Sequence, residues 1–186
     1  MKSLLKSCYS RLSFLYRNAR CLDFDSRRIL CHALILPYFD YCSCSWYSGI
    51  SAQLRNRLNT FQRKLVRFIH GYGPMHHVEH CHFRNLEWLA VPDRVTYFKL
   101  THLFKIRFGK APPYLSTGFV TILKSHSYST RGSESNYRIS RDIALSPTSF
   151  VFTAINSWNG LPIYLKRLDS LVNFKKKLKH FLLSKH

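Results

Sequence analysis

The side chains whose type and spacing point most clearly to chemistry are cations between residues 51 and 70. Five of them fall in this stretch: Arg55, Arg57, Arg63, Lys64 and Arg67. The sequence contains no aspartate or glutamate between Asp40 and Glu79 that could neutralise them. A helix face of this composition either follows the phosphates of a nucleic acid or is simply solvated, and the pattern by itself supports both interpretations equally.

A second group of cations lies further along the chain: Lys175, Lys176, Lys177 and Lys179. The whole chain carries 29 lysines and arginines against 9 aspartates and glutamates, a formal net charge of +20. Such a charge attracts polyanions, with nucleic acid as the first candidate and an anionic membrane surface as the second. We therefore expect RNA or DNA as the partner, contacted through its backbone without sequence preference.

Histidines and cysteines also cluster, which raises the question of a metal site. The clustered residues are His76, His77, His80, Cys81 and His82, with Cys42 and Cys44 upstream. Zinc frameworks need paired ligands at regular separations, and here a Cys-x-Cys pair has no second pair to complete it. We interpret the histidines as a partly exposed capping segment and predict neither a metal ion nor a cofactor.

Motifs of the common enzyme classes are missing from the sequence. It contains no Asp-Asp pair, no Gly-x-Ser-x-Gly, no Walker-type loop and no Gly-x-Gly-x-x-Gly. We assign no catalytic residue and predict that the chain is not an enzyme on its own. Six cysteines without a secretory signal favour reduced thiols in an intracellular protein of the nucleus or cytoplasm. The longest apolar run, residues 29–39, is too short to span a membrane.

The periodicity of apolar residues predicts that the basic side chains are carried by helices. The apolar side chains of residues 51–70 recur on one stripe: Leu54, Leu58, Phe61, Leu65, Phe68 and Ile69. A central helix should begin around Pro92 and end at Gly109, and its apolar residues surround the axis, so that it should be buried on most sides. Further helices are predicted for residues 1–22, for Arg27–Leu36 with Asp25 or Ser26 as the cap, and after Ser170.

These periodicities predict a mainly all-α fold, a helical bundle with a polar loop or one short hairpin near residues 124–149. We divide the chain into residues 1–20, a basic amphipathic helix, followed by residues 21–73 and residues 74–186. Gly71-Tyr-Gly-Pro74 marks the second of these boundaries.

Four strings occur in an order that resembles a known family: LILPYFDYCSCSW, LEWLAVPDRVTYFKLTHLFKIRFGKAPPYL, INSWNGLP and DSLVNFKKKLKHFL. Together they resemble the region downstream of the polymerase palm in reverse transcriptases of non-LTR (LINE-type, jockey-like) retrotransposons. The resemblance implies a palm-to-thumb connector in residues 1–20, a thumb-like helical segment in 21–73 and a C-terminal helical region. In that family the thumb contacts the template–primer duplex behind the active site.

The chain departs from the family where the chemistry would lie. Polymerisation there depends on a Phe/Tyr-x-Asp-Asp motif and a further aspartate that hold two metal ions, and Phe39-Asp40-Tyr41 cannot replace them. We therefore expect a non-catalytic fragment of an RNA-directed DNA polymerase, with Met1 opening a truncated element. Besides nucleic acid, the missing palm and fingers are an expected partner. The alternatives are a structural remnant that needs the palm and a basic protein targeted to mitochondria.

Overall fold

The computed structural model describes residues 2–116, 118–121, 135–138 and 146–185. Most of these residues are helical, which confirms the mainly all-α fold class. The α-helices are α1 (Lys2–Arg17), α2 (Phe24–Leu34), α3 (Leu36–Asp40), α4 (Ser43–Trp46), α5 (Ala52–His70), α6 (His80–Asn85), α7 (Val91–Arg107), α8 (Phe150–Asn159), α9 (Ile163–Lys166) and α10 (Leu171–Ser184). Short 3-10 helices cover Ala19–Cys21, Tyr47–Gly49 and Pro113–Ser116. Within the described ranges, no helix is long and apolar enough to cross a membrane.

The hairpin predicted near residues 124–149 lies largely outside the described residues. Strand β1 (Val120–Thr121) lies just before this stretch, and strand β2 (Tyr137–Arg138) lies within it. They pair antiparallel, with Val120 opposite Arg138 and Thr121 opposite Tyr137. A short antiparallel ladder is therefore present, and its first strand begins before the predicted stretch.

Packing divides the chain into two compact units. The first combines the chain up to Ser43 with Ile50–Arg94, and the second combines Cys44–Gly49 with Val95–Lys185. This division falls inside α7, between Arg94 and Val95, whereas the segments predicted from the sequence are 1–20, 21–73 and 74–186. Those segments remain a prediction about motifs, and the two units are described separately below.

Helix α5 forms the centre of the first unit. It begins where predicted, because the Ser51 hydroxyl accepts a hydrogen bond from the Leu54 backbone N–H at 3.3 Å. It ends at Gly71, whose φ of 71° is the left-handed conformation that glycine adopts without strain. The predicted apolar stripe is buried except for Leu54, which is half-buried.

Helix α2 differs from the prediction at both ends. It is capped by Asp23, whose carboxylate accepts from the Ser26 backbone N–H at 2.8 Å, and the predicted caps Asp25 and Ser26 lie inside the helix. It ends at Leu34 instead of Leu36, because Pro37 has no N–H to continue the helical hydrogen bonds and lies in the first turn of α3. The predicted boundaries of Arg27–Leu36 were therefore displaced toward the C-terminus.

The second unit is built around the latter part of α7. Phe104 of this helix stacks on Phe174 of α10 with the ring centroids 4.3 Å apart, and Trp158 of α8 lies 5.9 Å from the same Phe174 ring. Burial on most sides was predicted for α7, and it extends even to the side chain of Lys99, which is 6% exposed and donates to the Ser48 hydroxyl at 2.6 Å. Pro92 and His102 are the exposed residues within α7, and Phe108, directly after the helix, is 37% exposed.

Candidate nucleic-acid interface

The predicted basic residues of α5 do not form a single row. Because an α-helix turns by about 100° per residue, Arg57 and Lys64 share one side of α5, while Arg55 lies on another. Arg57 and Lys64 are exposed, and Arg55 is half-buried. The structure therefore presents the Arg57 and Lys64 pair to solvent together and separates Arg55 from it.

Helix α1 lies beside the side of α5 that carries Lys64. The Tyr9 ring meets Phe61 edge-on at 4.6 Å, and seven residues further along both helices Tyr16 meets Phe68 at 4.8 Å. Since both pairs advance by the same step in the same direction, α1 and α5 run parallel. The Lys64 ammonium lies 5.1 Å from the centre of the Tyr9 ring, a cation–π contact that joins the two helices at the surface.

Helix α1 brings two exposed cations that were not among the predicted site residues. Lys6 lies one helical turn before Tyr9, and Arg17 follows Tyr16, which is itself 49% exposed. The signal in the sequence is the basic amphipathic pattern of residues 1–22. As predicted, residues on the apolar side of this helix are buried, namely Leu5, Cys8, Leu12 and Leu15. Lys6 and Arg17 were not predicted as site residues, because the pattern does not show which helix packs beside α1.

Arg67 differs from its neighbours because it is part of the protein framework. It is half-buried, and its Nε donates a hydrogen bond of 2.7 Å to the backbone carbonyl of His76. Burial raises the pKa of the Tyr16 phenol, and the Arg67 charge partly opposes this increase, which places Arg67 close to α1. Arg67 therefore holds the segment after α5 in addition to carrying charge.

Arg63 faces a cavity of about 270 Å³ in the first unit. The side chains around the cavity include Asn59, His80 and the two carboxylates Glu79 and Asp93. Arg63 is exposed, but these acids reduce the net positive potential around it. Of the five predicted residues, Arg57 and Lys64 thus combine exposure with a basic surrounding most clearly.

The second predicted group lies on α10 in the other unit. Lys176 and Lys177 are exposed, whereas Lys175 and Lys179, which directly follow the buried residues Phe174 and Leu178, are half-buried. The pKa of His102 on α7 is lowered first by burial and then by the charges of Lys105 and Lys175. Cations from α7 and α10 therefore gather around one point of the second unit.

The histidine and cysteine cluster is held by local contacts. Glu79 caps α6, and its backbone N–H donates to Nδ1 of His82 at 3.1 Å, so that His82 takes part in a capping box. Among the residues that the structure describes, no three His, Cys, Asp or Glu side chains are placed to share a metal ion. Cys8 and Cys31 are buried thiols, and burial raises their pKa to about 11 and about 12.

Two of the family-like strings are joined directly in the first unit. Arg94 of the string VPDRV forms a paired hydrogen-bonded ion contact with both carboxylate oxygens of Asp40 in PYFDY, the second at 2.6 Å. Asp40 is therefore engaged in holding α3 to the start of α7. Comparison with protein-family models, curated proteins and solved structures finds no match to this chain.

Proposed function

We propose that this chain binds the phosphate backbone of nucleic acid along α5 and the adjoining side of α1. The observation that carries the proposal is the exposed pair Arg57 and Lys64 on α5, with the exposed Lys6 and Arg17 on the adjoining helix α1. No acidic residue lies between Asp40 and Glu79 in the sequence, and in the structure the carboxylates Glu79 and Asp93 line the cavity at Arg63. When lysine and arginine side chains neutralise phosphates, the counterions condensed on the nucleic acid are released. This release favours binding that is independent of sequence.

The proposal includes an origin as the non-catalytic thumb and downstream region of a LINE-type reverse transcriptase. Two observations support this origin. The four strings occur in the order found in that family, and two of them are in contact in the first unit through Asp40 and Arg94. Without an Asp-Asp pair to hold metal ions, the purified chain should not extend a primed RNA template in Mg²⁺ or Mn²⁺. Incorporation that survives controls for contaminating polymerase would contradict this part of the proposal.

A salt titration tests the binding itself. If about five phosphates are neutralised, the logarithm of the binding constant should fall with the logarithm of salt concentration with a slope of roughly −3.5 to −4.5, depending on strandedness. Fluorescence anisotropy with labelled oligonucleotides of two unrelated sequences would measure the slope and the sequence preference together. A binding constant that does not change between low and physiological salt would show that the basic face is merely solvated.

Exposed apolar side chains of the first unit favour a second candidate function, in which the chain is a remnant that needs a missing protein partner. Tyr41 is 78% exposed, Ile29 60% and Phe14 56%. Large exposed apolar groups can mark a surface that a partner normally covers. This candidate predicts aggregation of the isolated chain and recovery of a monodisperse protein when a reverse-transcriptase palm is supplied, which light scattering would detect.

A further inference from the structure

Four aromatic rings meet at the C-terminal end of α5. The His70 and Tyr72 rings are stacked with centroids 4.9 Å apart and planes 7° from parallel. The His76 ring follows at 3.9 Å from Tyr72, and His82 stands edge-on to it at 5.4 Å. Rings from α5, the following segment and α6 thus form one stack, here called the ring stack (His70, Tyr72, His76 and His82).

The members of the ring stack differ in exposure. His70, Tyr72 and His82 are half-buried, whereas His76 is exposed. The Tyr72 ring lies 3.9 Å from the His76 ring with the planes 32° apart, and the plane of His82 is nearly perpendicular to that of His76. His76 is therefore the most exposed residue of the ring stack and has an aromatic neighbour on its protein side.

The backbone of His76 is fixed by the proposed binding helix. Its carbonyl accepts the 2.7 Å hydrogen bond from Nε of Arg67, and its N–H bonds to the Gly73 carbonyl at 3.1 Å. Lys64 precedes Arg67 by three residues on α5, about one turn, so cations and an open ring lie on the same end of the helix. This combination of charged groups and a flat ring is the arrangement with which proteins bind single strands.

We propose that His76 is a stacking platform for an unpaired base of single-stranded nucleic acid, with the neighbouring phosphates held by the cations of α5. The proposal rests on the proposed function and specifies its ligand class. In a duplex the faces of the bases are covered by their neighbours, and only the backbone and groove edges are open to a protein. A flat ring on the surface can therefore stack on an unpaired base but not on a base pair inside a duplex, and this preference does not depend on the sequence.

Two variants that differ only in position test the platform. His76→Ala removes the exposed ring, while His77→Ala removes an exposed imidazole outside the ring stack. Since base–aromatic stacking contributes a factor of about five or more per base, His76→Ala should weaken binding to a single-stranded oligonucleotide about five- to tenfold and leave duplex binding unchanged. His77→Ala should leave both unchanged, and His76→Phe, which keeps a flat ring, should retain single-strand affinity.

An oligonucleotide containing 2-aminopurine reports the stacking directly, because the emission of this base falls when it stacks. Quenching on binding that is lost in His76→Ala and kept in His76→Phe and His77→Ala would support the platform. Equal single-strand affinity and quenching in all the variants would overturn it, while salt-sensitive binding through α5 would still stand. Absence of any salt-dependent binding by the parent protein would overturn both proposals.

Discussion

Charge reversal of Arg57 and Lys64 separates a binding face from a merely solvated one. Each phosphate contact contributes about 0.7 to 0.9 to the salt slope, so the double variant Arg57→Glu, Lys64→Glu should flatten the slope by about 1.4 to 1.8. At 0.1 M salt this corresponds to a loss of affinity of roughly 25- to 60-fold. The free energy of unfolding should fall little, by about 0.5–1 kcal/mol for the lost contact between Lys64 and the Tyr9 ring.

A matched variant shows whether position or total charge matters. Lys110→Glu, Arg167→Glu changes the net charge by the same amount at two exposed residues of the second unit. Fluorescence anisotropy across a salt series should give a parent-like slope for this control and a flatter one for the α5 variant. Equal losses in both variants would show that binding responds to net charge and not to the α5 face. Circular dichroism should show unchanged helicity in all three proteins.

Further predictions concern the framework of the site. Leu58→Ala or Leu65→Ala should each lower the free energy of unfolding by roughly 2–5 kcal/mol in chemical denaturation, because both side chains are 0% exposed. Asp40→Asn should lower it by about 1.5–3 kcal/mol, since the half-buried Arg94 loses a charged acceptor; an unchanged denaturation midpoint would contradict this. Burial, together with the charges of His82 and His76, lowers the pKa of His70 in the folded protein. Since the unfolded chain then protonates this imidazole more readily, the free energy of unfolding should fall as the pH decreases below about 6.5. His70→Gln should reduce this pH dependence in thermal melts.

The boundaries of α5 were predictable because local side chains determine them. Ser51 provides the cap and Gly71 the left-handed end, and neither depends on distant contacts. The predicted start of α2 was wrong because Asp23, Asp25 and Ser26 are all suitable N-cap residues, and the sequence does not show which of them is used. Tertiary contacts accompany the actual choice, since Arg27 donates to the Ala19 carbonyl at 2.8 Å and to the Phe68 carbonyl of α5 at 3.3 Å.

The candidate site was predictable in composition and only partly in arrangement. The helical period is enough to place Arg57 and Lys64 away from the buried stripe. The different environments of Arg63 and Arg67 depend on the path of the chain after Gly71, which places Glu79 in the wall of the cavity at Arg63 and brings the His76 carbonyl within hydrogen-bond distance of Arg67. Neither the ring stack nor the packing of α1 beside Lys64 has a local signal, because both join residues from separate elements.

Lysine footprinting measures most directly whether nucleic acid lies along α5. Lys64, Lys110 and Lys177 are exposed, so all three should react with an acylating reagent in the free protein, as mass spectrometry of peptides would show. With a saturating oligonucleotide at low salt, we expect Lys64 to become protected while Lys110 reacts as before. Protection of Lys177 would identify α10 as a second contact. Unchanged modification of Lys64 in the complex would show that nucleic acid does not lie along α5.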